Sequence, residues 1–175
     1  MARFDYHIDE GTFGGFVGTT DRALAIAFAE TVGASLDEVL AAAEGDMREI
    51  AAGGLHAFPD AVALIKRLTV PMAVASNSDR WRLDVVLSSA GLRHLFEVTV
   101  AGDEVPEPKP APDMYLRAAQ ILGVDPVDCV VIEDSPTGVA AARAAGMTVV
   151  AVRRGHFADD RLIDADQIVD SLDEL

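Results

Sequence analysis

Cysteine is nearly absent: Cys129 stands alone in 175 residues, so no internal disulfide can form, and its place in an apolar run marks it as a core residue, not a nucleophile. Basic residues are also scarce. Lys and Arg number 14 against 29 Asp and Glu, a net charge of -15 with an isoelectric point near 4.4, which disfavours nucleic acid or an anionic membrane as partner. No apolar stretch approaches the roughly 20 residues of a membrane span, and the start does not read as a signal sequence, so a cytoplasmic location is the expectation. The histidines His7, His56, His94 and His156 show no metal-ligand spacing. Repeats, low-complexity tracts and long linkers are missing too.

What is present suffices for one sizeable core and a small appendage, because half of the residues are hydrophobic. From Met1 to about Gly54 the text is helical, with Ala, Leu and Phe at helical spacing over Asp21 to Val32 and a capping box formed by Ser35 and Glu38. From Phe58 onward helices alternate with short apolar strands near Met72 to Ala75, Val98 to Ala101, Cys129 to Ile132 and Thr148 to Val152. Gly91, Gly123 and Gly146 suit left-handed helix ends. Such alternation predicts an α/β fold, a doubly wound parallel sheet covered on both faces. The tail from Asp164 to Leu175 reads as a strand-like piece and a last helical turn.

Three strand ends carry residues capable of chemistry. In "VVIEDSPTG" the apolar run ends in Glu133 and Asp134 before Ser135, Pro136 and Gly138 open a helix. Acidic groups at the C-terminal end of a parallel strand stand where open α/β sheets place their sites, and hard oxygens suit Mg²⁺. Equally, Asp134 and Ser135 are plain helix caps with Pro136 in the first turn. In "PMAVASNSD" a strand runs into Ser76 and Asn77, which alone read as a turn, and "PEPKPAPDMYL" holds Lys109, which alone reads as a solvated loop lysine.

Taken in order, Ser76–Asn77, Lys109 and Glu133–Asp134 resemble the second, third and fourth motifs of the haloacid dehalogenase superfamily, in the helical-cap branch that includes β-phosphoglucomutase-like proteins and sugar-phosphate phosphatases. "ARAAGM" and "TVVAV" fit the same branch. The resemblance implies a Rossmannoid core over about 55–175 and a partial helical cap over about 1–54. It also implies Mg²⁺ held by Asp134, with Glu133 as a ligand or as its outer partner. Lys109 and Ser76 would then be catalytic, and Ser76, Asn77 and Lys109 would bind a small phosphorylated metabolite.

The family's first motif, a strand carrying DxDxT, has no match. "HIDEGTF" puts Ile8 at the attacking position and Glu10 at the second aspartate, so "FDYHIDEGTFGGFVGTTD" reads better as cap, with Phe13, Phe16, Val17 and Gly18 around its short loop. The expectation is therefore a chain that starts roughly thirty residues late, lacks the first core strand, which the resemblance places between the strands near Met72 to Ala75 and Cys129 to Ile132, and, without the attacking carboxylate, is close to inactive as written. An Mg²⁺-dependent phosphatase working through an aspartyl-phosphate is the favoured function of the intact protein. A phosphomutase is the first alternative, but the basic residues that flank the mutases' cap loop correspond to Val17 and Asp21 here, with Arg22 nearby. A non-catalytic metal- and phosphate-binding protein is the second.

Overall fold

The computed structural model describes residues 19–155, 157 and 161–175. The sequence readings placed on 1–18, including the loop from Phe13 to Gly18, and on His156 lie outside the described residues.

Among the described residues two helices come first. Helix α1 (Asp21–Val32) starts at Thr20, whose hydroxyl accepts the Ala23 amide, and ends at Gly33, whose φ of 68° few side chains tolerate. Helix α2 (Leu36–Ala52) opens with the expected Ser35–Glu38 capping box. The pair buries Ala25, Phe28, Ala29 and Val39 against each other.

The remainder alternates. In chain order it runs α3 (Pro59–Arg67), β1 (Ala73–Ser76), α4 (Arg80–Ser89), β2 (Val98–Ala101), α5 (Asp113–Leu122), β3 (Val130–Glu133), α6 (Pro136–Ala144), β4 (Thr148–Val152) and β5 (Gln167–Val169). Single 3-10 turns occupy Gly102–Glu104 and Leu172–Glu174. All strand pairs are parallel, and β2 and β4 span the residues read from the sequence, while β1 and β3 are shifted one residue toward the site.

Period-two alternation distributes the core. On β4, Val149 and Ala151 face α6 together with Tyr115 and Ala119 of α5, whereas Val150 and Val152 face Leu64 of α3 and Leu172. Likewise Val98 and Val100 of β2 meet Met114 and Ala118 of α5, and Ala101 meets Leu83 and Leu87 of α4 on the other side. The winding is double, as expected. The described strands form two sheets, β1–β2 and β3–β4–β5, and the division falls between β1 and β3, where the resemblance places the first core strand. Between β1 and β3 a side chain makes the connection: the Lys109 ammonium donates to the Ala75 carbonyl on β1 at 3.1 Å and pairs with Glu133 on β3. Val130 is 63% and Ile132 39% exposed, so the described residues leave that face of β3 only partly covered.

Candidate active site

Every strand-end residue singled out above reaches one cavity of about 230 Å³, lined by Ser76, Asn77, Ser78, Lys109, Glu133, Asp134 and Ser135, with Thr19 from the segment before α1. Parallel strands deliver them. Ser76 ends β1 and Glu133 ends β3, so both carboxyl ends point the same way, and the loops that follow face each other.

Lys109 is not a solvated loop lysine. Its side chain is only 7% exposed, ion-paired with Glu133, and its ammonium lies 4.7 Å from the centre of the Tyr115 ring. Asn77, itself buried, aims it: the Asn77 side chain donates to the Lys109 carbonyl at 2.9 Å and accepts the Lys109 amide at 2.8 Å. This pair of bonds fixes the proline-flanked loop to the end of β1. Gly102 allows the close approach beneath, since a Cβ there would lie 2.5 Å from the Asn77 carbonyl oxygen. Ser76 accepts the Ser78 amide at 3.2 Å, which tightens the turn along the cavity wall.

Glu133 is buried and saturated. Its Oε1 accepts from Lys109 and from the Tyr115 hydroxyl at 2.6 Å, and its Oε2 accepts the Asp134 amide, the Ser135 amide and the Ser135 hydroxyl at 3.1, 3.2 and 2.9 Å. Burial pushes its carboxyl up. The Lys109 charge and the hydrogen bonds from Lys109, Tyr115 and Ser135 outweigh that, and hold the group below the ordinary carboxylate range. Tyr115 is pushed far up, by burial first and then by the Glu133 charge and hydrogen bond, so its phenol stays a neutral donor.

Mg²⁺, which the resemblance implies, requires hard oxygen donors. Asp134 supplies one on the exposed cavity wall, whereas both Glu133 oxygens already face inward to their donors. The donor type fits at Asp134. Among the described residues no cluster of three His, Cys, Asp or Glu forms a complete metal cage.

Helix capping and site building coincide at Ser135. It is the N-cap of α6, its hydroxyl accepting the Gly138 amide at 3.1 Å while donating to Glu133; Asp134 lies outside the cap. Ser135, Tyr115 and Thr19 were not foreseen as site residues. Tyr115 had a signal, a hydroxyl-bearing aromatic in the apolar stripe of "PDMYL", but Thr19 had none, because its place follows from how α1 sits on the core.

Comparison with known proteins adds four findings. A family model for haloacid dehalogenase-like hydrolases matches residues 11–146. The chain is 51% identical over 83 residues to the fructose-1-phosphate phosphatase YqaB of Escherichia coli (strain K12), covering 47% of this chain and 44% of that protein. It is 39% identical over 117 residues to a phosphoglycolate phosphatase of Chromobacterium violaceum, covering 66% of this chain and 52% of that protein. The chain thus spans about half the length of these curated relatives. Among solved structures, CbbY from Rhodobacter sphaeroides in complex with phosphate superposes with a TM-score of 0.83 at 26% identity, covering 98% of this chain and 82% of that one.

Proposed function

The chain belongs to the haloacid dehalogenase-like hydrolase family, and from that premise we propose that it carries the anion grip of a cytoplasmic, Mg²⁺-dependent phosphatase for a small phosphorylated metabolite of the sugar-phosphate kind. The observation that carries the reading is Lys109: a lysine withdrawn from water, aimed by Asn77 and compensated by Glu133 at the junction of two strand ends. Such a cation is worth most where charge gathers on phosphoryl oxygens in a site that excludes water.

Roles follow from placement. Ser76 and the turn amides after it would donate hydrogen bonds to the phosphoryl oxygens, and Lys109 would offset their charge. Asp134 would hold the metal, which supplies charge neutralisation at one phosphate oxygen. Glu133 would act through Lys109 by keeping it charged and in place. Among the described residues the carboxylates lining the cavity are Glu133 and Asp134, so the attacking aspartate would come from a DxDxT segment outside them. The cavity is smaller than the roughly 300–1,000 Å³ of drug-sized sites, which suits a phosphate on a compact body.

A mutase finds little support at Asp21, whose carboxylate is engaged by Arg82 on the core and not by a cationic partner facing the cavity. The test is calorimetric. Inorganic phosphate should bind the chain in the presence of Mg²⁺, and Lys109→Ala should weaken that binding by about 10- to 100-fold. In a version extended by a DxDxT strand, the same substitution should nearly abolish hydrolysis of fructose 1-phosphate or phosphoglycolate. Equal phosphate affinity in wild type and variant would return Lys109 to a structural role.

A further inference from the structure

Helix α2 meets α4 where the Ser89 hydroxyl donates to the Ala51 carbonyl at 2.6 Å, and among the described residues an ion pair forms a charged junction that joins α1 to the core. Asp21, the first residue of α1, is 14% exposed; its Oδ1 accepts from the Arg82 guanidinium at 2.7 Å and its Oδ2 from the Asp79 amide at 3.0 Å. Both partners belong to the start of α4. Asp79 also directly follows Ser76, Asn77 and Ser78, which line the anion cavity, and Thr19, which lines it from the cap, stands two residues before Asp21. A short loop on each side therefore joins the junction to the cavity.

Repulsion makes the junction conditional. Burial first, then the charges of Asp21 and Asp103, push the Asp79 carboxyl up, while Arg22 and Arg82 pull it down. Asp103 itself accepts the Arg80 amide at 2.9 Å. Several carboxylates thus crowd one rim, and without Arg82 those of Asp21 and Asp79 would push the cap from the core. Beside the junction a largely apolar cleft of about 260 Å³ separates α1 and α2 from α4, bordered by Leu24, Val39, Leu40 and Trp81. Trp81 is the chain's one tryptophan, and Arg48 of α2 lies over its ring at 5.9 Å.

We propose that Asp21 is a positioning residue that latches the cap to the core through Arg82 and the Asp79 amide, and so seats Thr19 over the anion cavity. The part concerning the cavity rests on the phosphate-binding reading above. The latch itself does not.

Two measurements separate these. Acrylamide quenching of Trp81 fluorescence, on the ligand-free chain, reads cap seating; titration with inorganic phosphate and Mg²⁺ reads the cavity. Asp21→Ala and Arg82→Ala should each raise the quenching constant about twofold and weaken phosphate binding roughly tenfold, with the double variant no worse than Asp21→Ala, because Arg82 acts on the latch through Asp21 and only the seated fraction binds tightly. Asp21→Asn, which keeps an acceptor for the Asp79 amide, should fall between. Far-UV circular dichroism checks folding, and should Asp21→Ala not fold, Arg82→Ala removes the same pair from the core side. Unchanged quenching, or effects that add in the double variant, would overturn the latch. Raised quenching with unchanged phosphate affinity would overturn the positioning role. A wild-type chain that binds no phosphate would defeat the reading of the cavity and Asp21's role there, a failure told apart because the Trp81 arm uses no ligand.

Discussion

Moving an ammonium group out of water costs several kcal/mol unless charge and hydrogen bonds replace the lost solvation. At Lys109 the replacements come from the Glu133 carboxylate, the Ala75 carbonyl and the face of Tyr115. Tyr115 serves twice, since its hydroxyl also donates to Glu133 at 2.6 Å. Tyr115→Phe keeps the ring and deletes that donor to a buried charge, which should lower stability by about 1.5–3 kcal/mol. Urea denaturation followed by circular dichroism measures it, and because the lysine stays in place, phosphate affinity should fall less than in Lys109→Ala. A stability equal to wild type would show that the phenol contributes nothing net to the pair. The burial of Lys109 could not be read from "PEPKPAP", since the partners that compensate it come from other strands and helices.

At the scale of elements, α6 is held close, because its first turn presses on the end of β3. A Cβ on Gly138 would lie 1.9 Å from the Glu133 Cδ. Gly138→Ala gains about 1 kcal/mol of helix propensity. The clash forces either the helix off the strand or the carboxylate out of its ring of donors, and overpacking of this kind costs typically 1–3 kcal/mol before any hydrogen bond is lost. The net effect should therefore be a lower urea midpoint together with weaker phosphate binding; a stabilised variant would mean that α6 yields freely. Elements with strong local signals were legible in the sequence: helical spacing marked α1 over Asp21 to Val32, the Ser35–Glu38 capping box opened α2, and the valine-rich "TVVAV" read as a strand. The two-sheet division has no local pattern behind it; it was legible only through the resemblance, which places the first core strand between β1 and β3. Ser76, Lys109 and Glu133 could be named because their order and spacing resemble the family's motifs, whereas Tyr115, Ser135 and Thr19 emerged only from packing.

At the scale of the whole molecule the net charge of -15 sets the background against which acid acts. Protonating surface carboxylates relieves self-repulsion, so mild acidification alone should stabilise the fold. Asp60 works against that trend. Its carboxylate accepts from Arg154 at 2.9 and 3.1 Å, from the Leu172 amide at 3.0 Å and from Ser171 at 3.3 Å, joining α3, the segment after β4 and the C-terminal turn. The Arg154 hydrogen bonds, followed by that of the Leu172 amide, lower its pKa from 3.8 to about 2. A carboxyl that is more acidic folded than unfolded contributes stability above its unfolded pKa and loses it as pH falls through the folded value. Glu133, also lowered, adds to the loss, whereas Asp79, raised, opposes it. The expected thermal midpoint is thus level above about pH 5 and drops steeply below about pH 4, with Asp60 accounting for roughly 2 kcal/mol of the fall. Asp60→Asn should lie below wild type at pH 7 and converge on it toward pH 2 in a differential scanning calorimetry series. Two curves that ran parallel down to pH 2 would place the acid lability at other carboxylates.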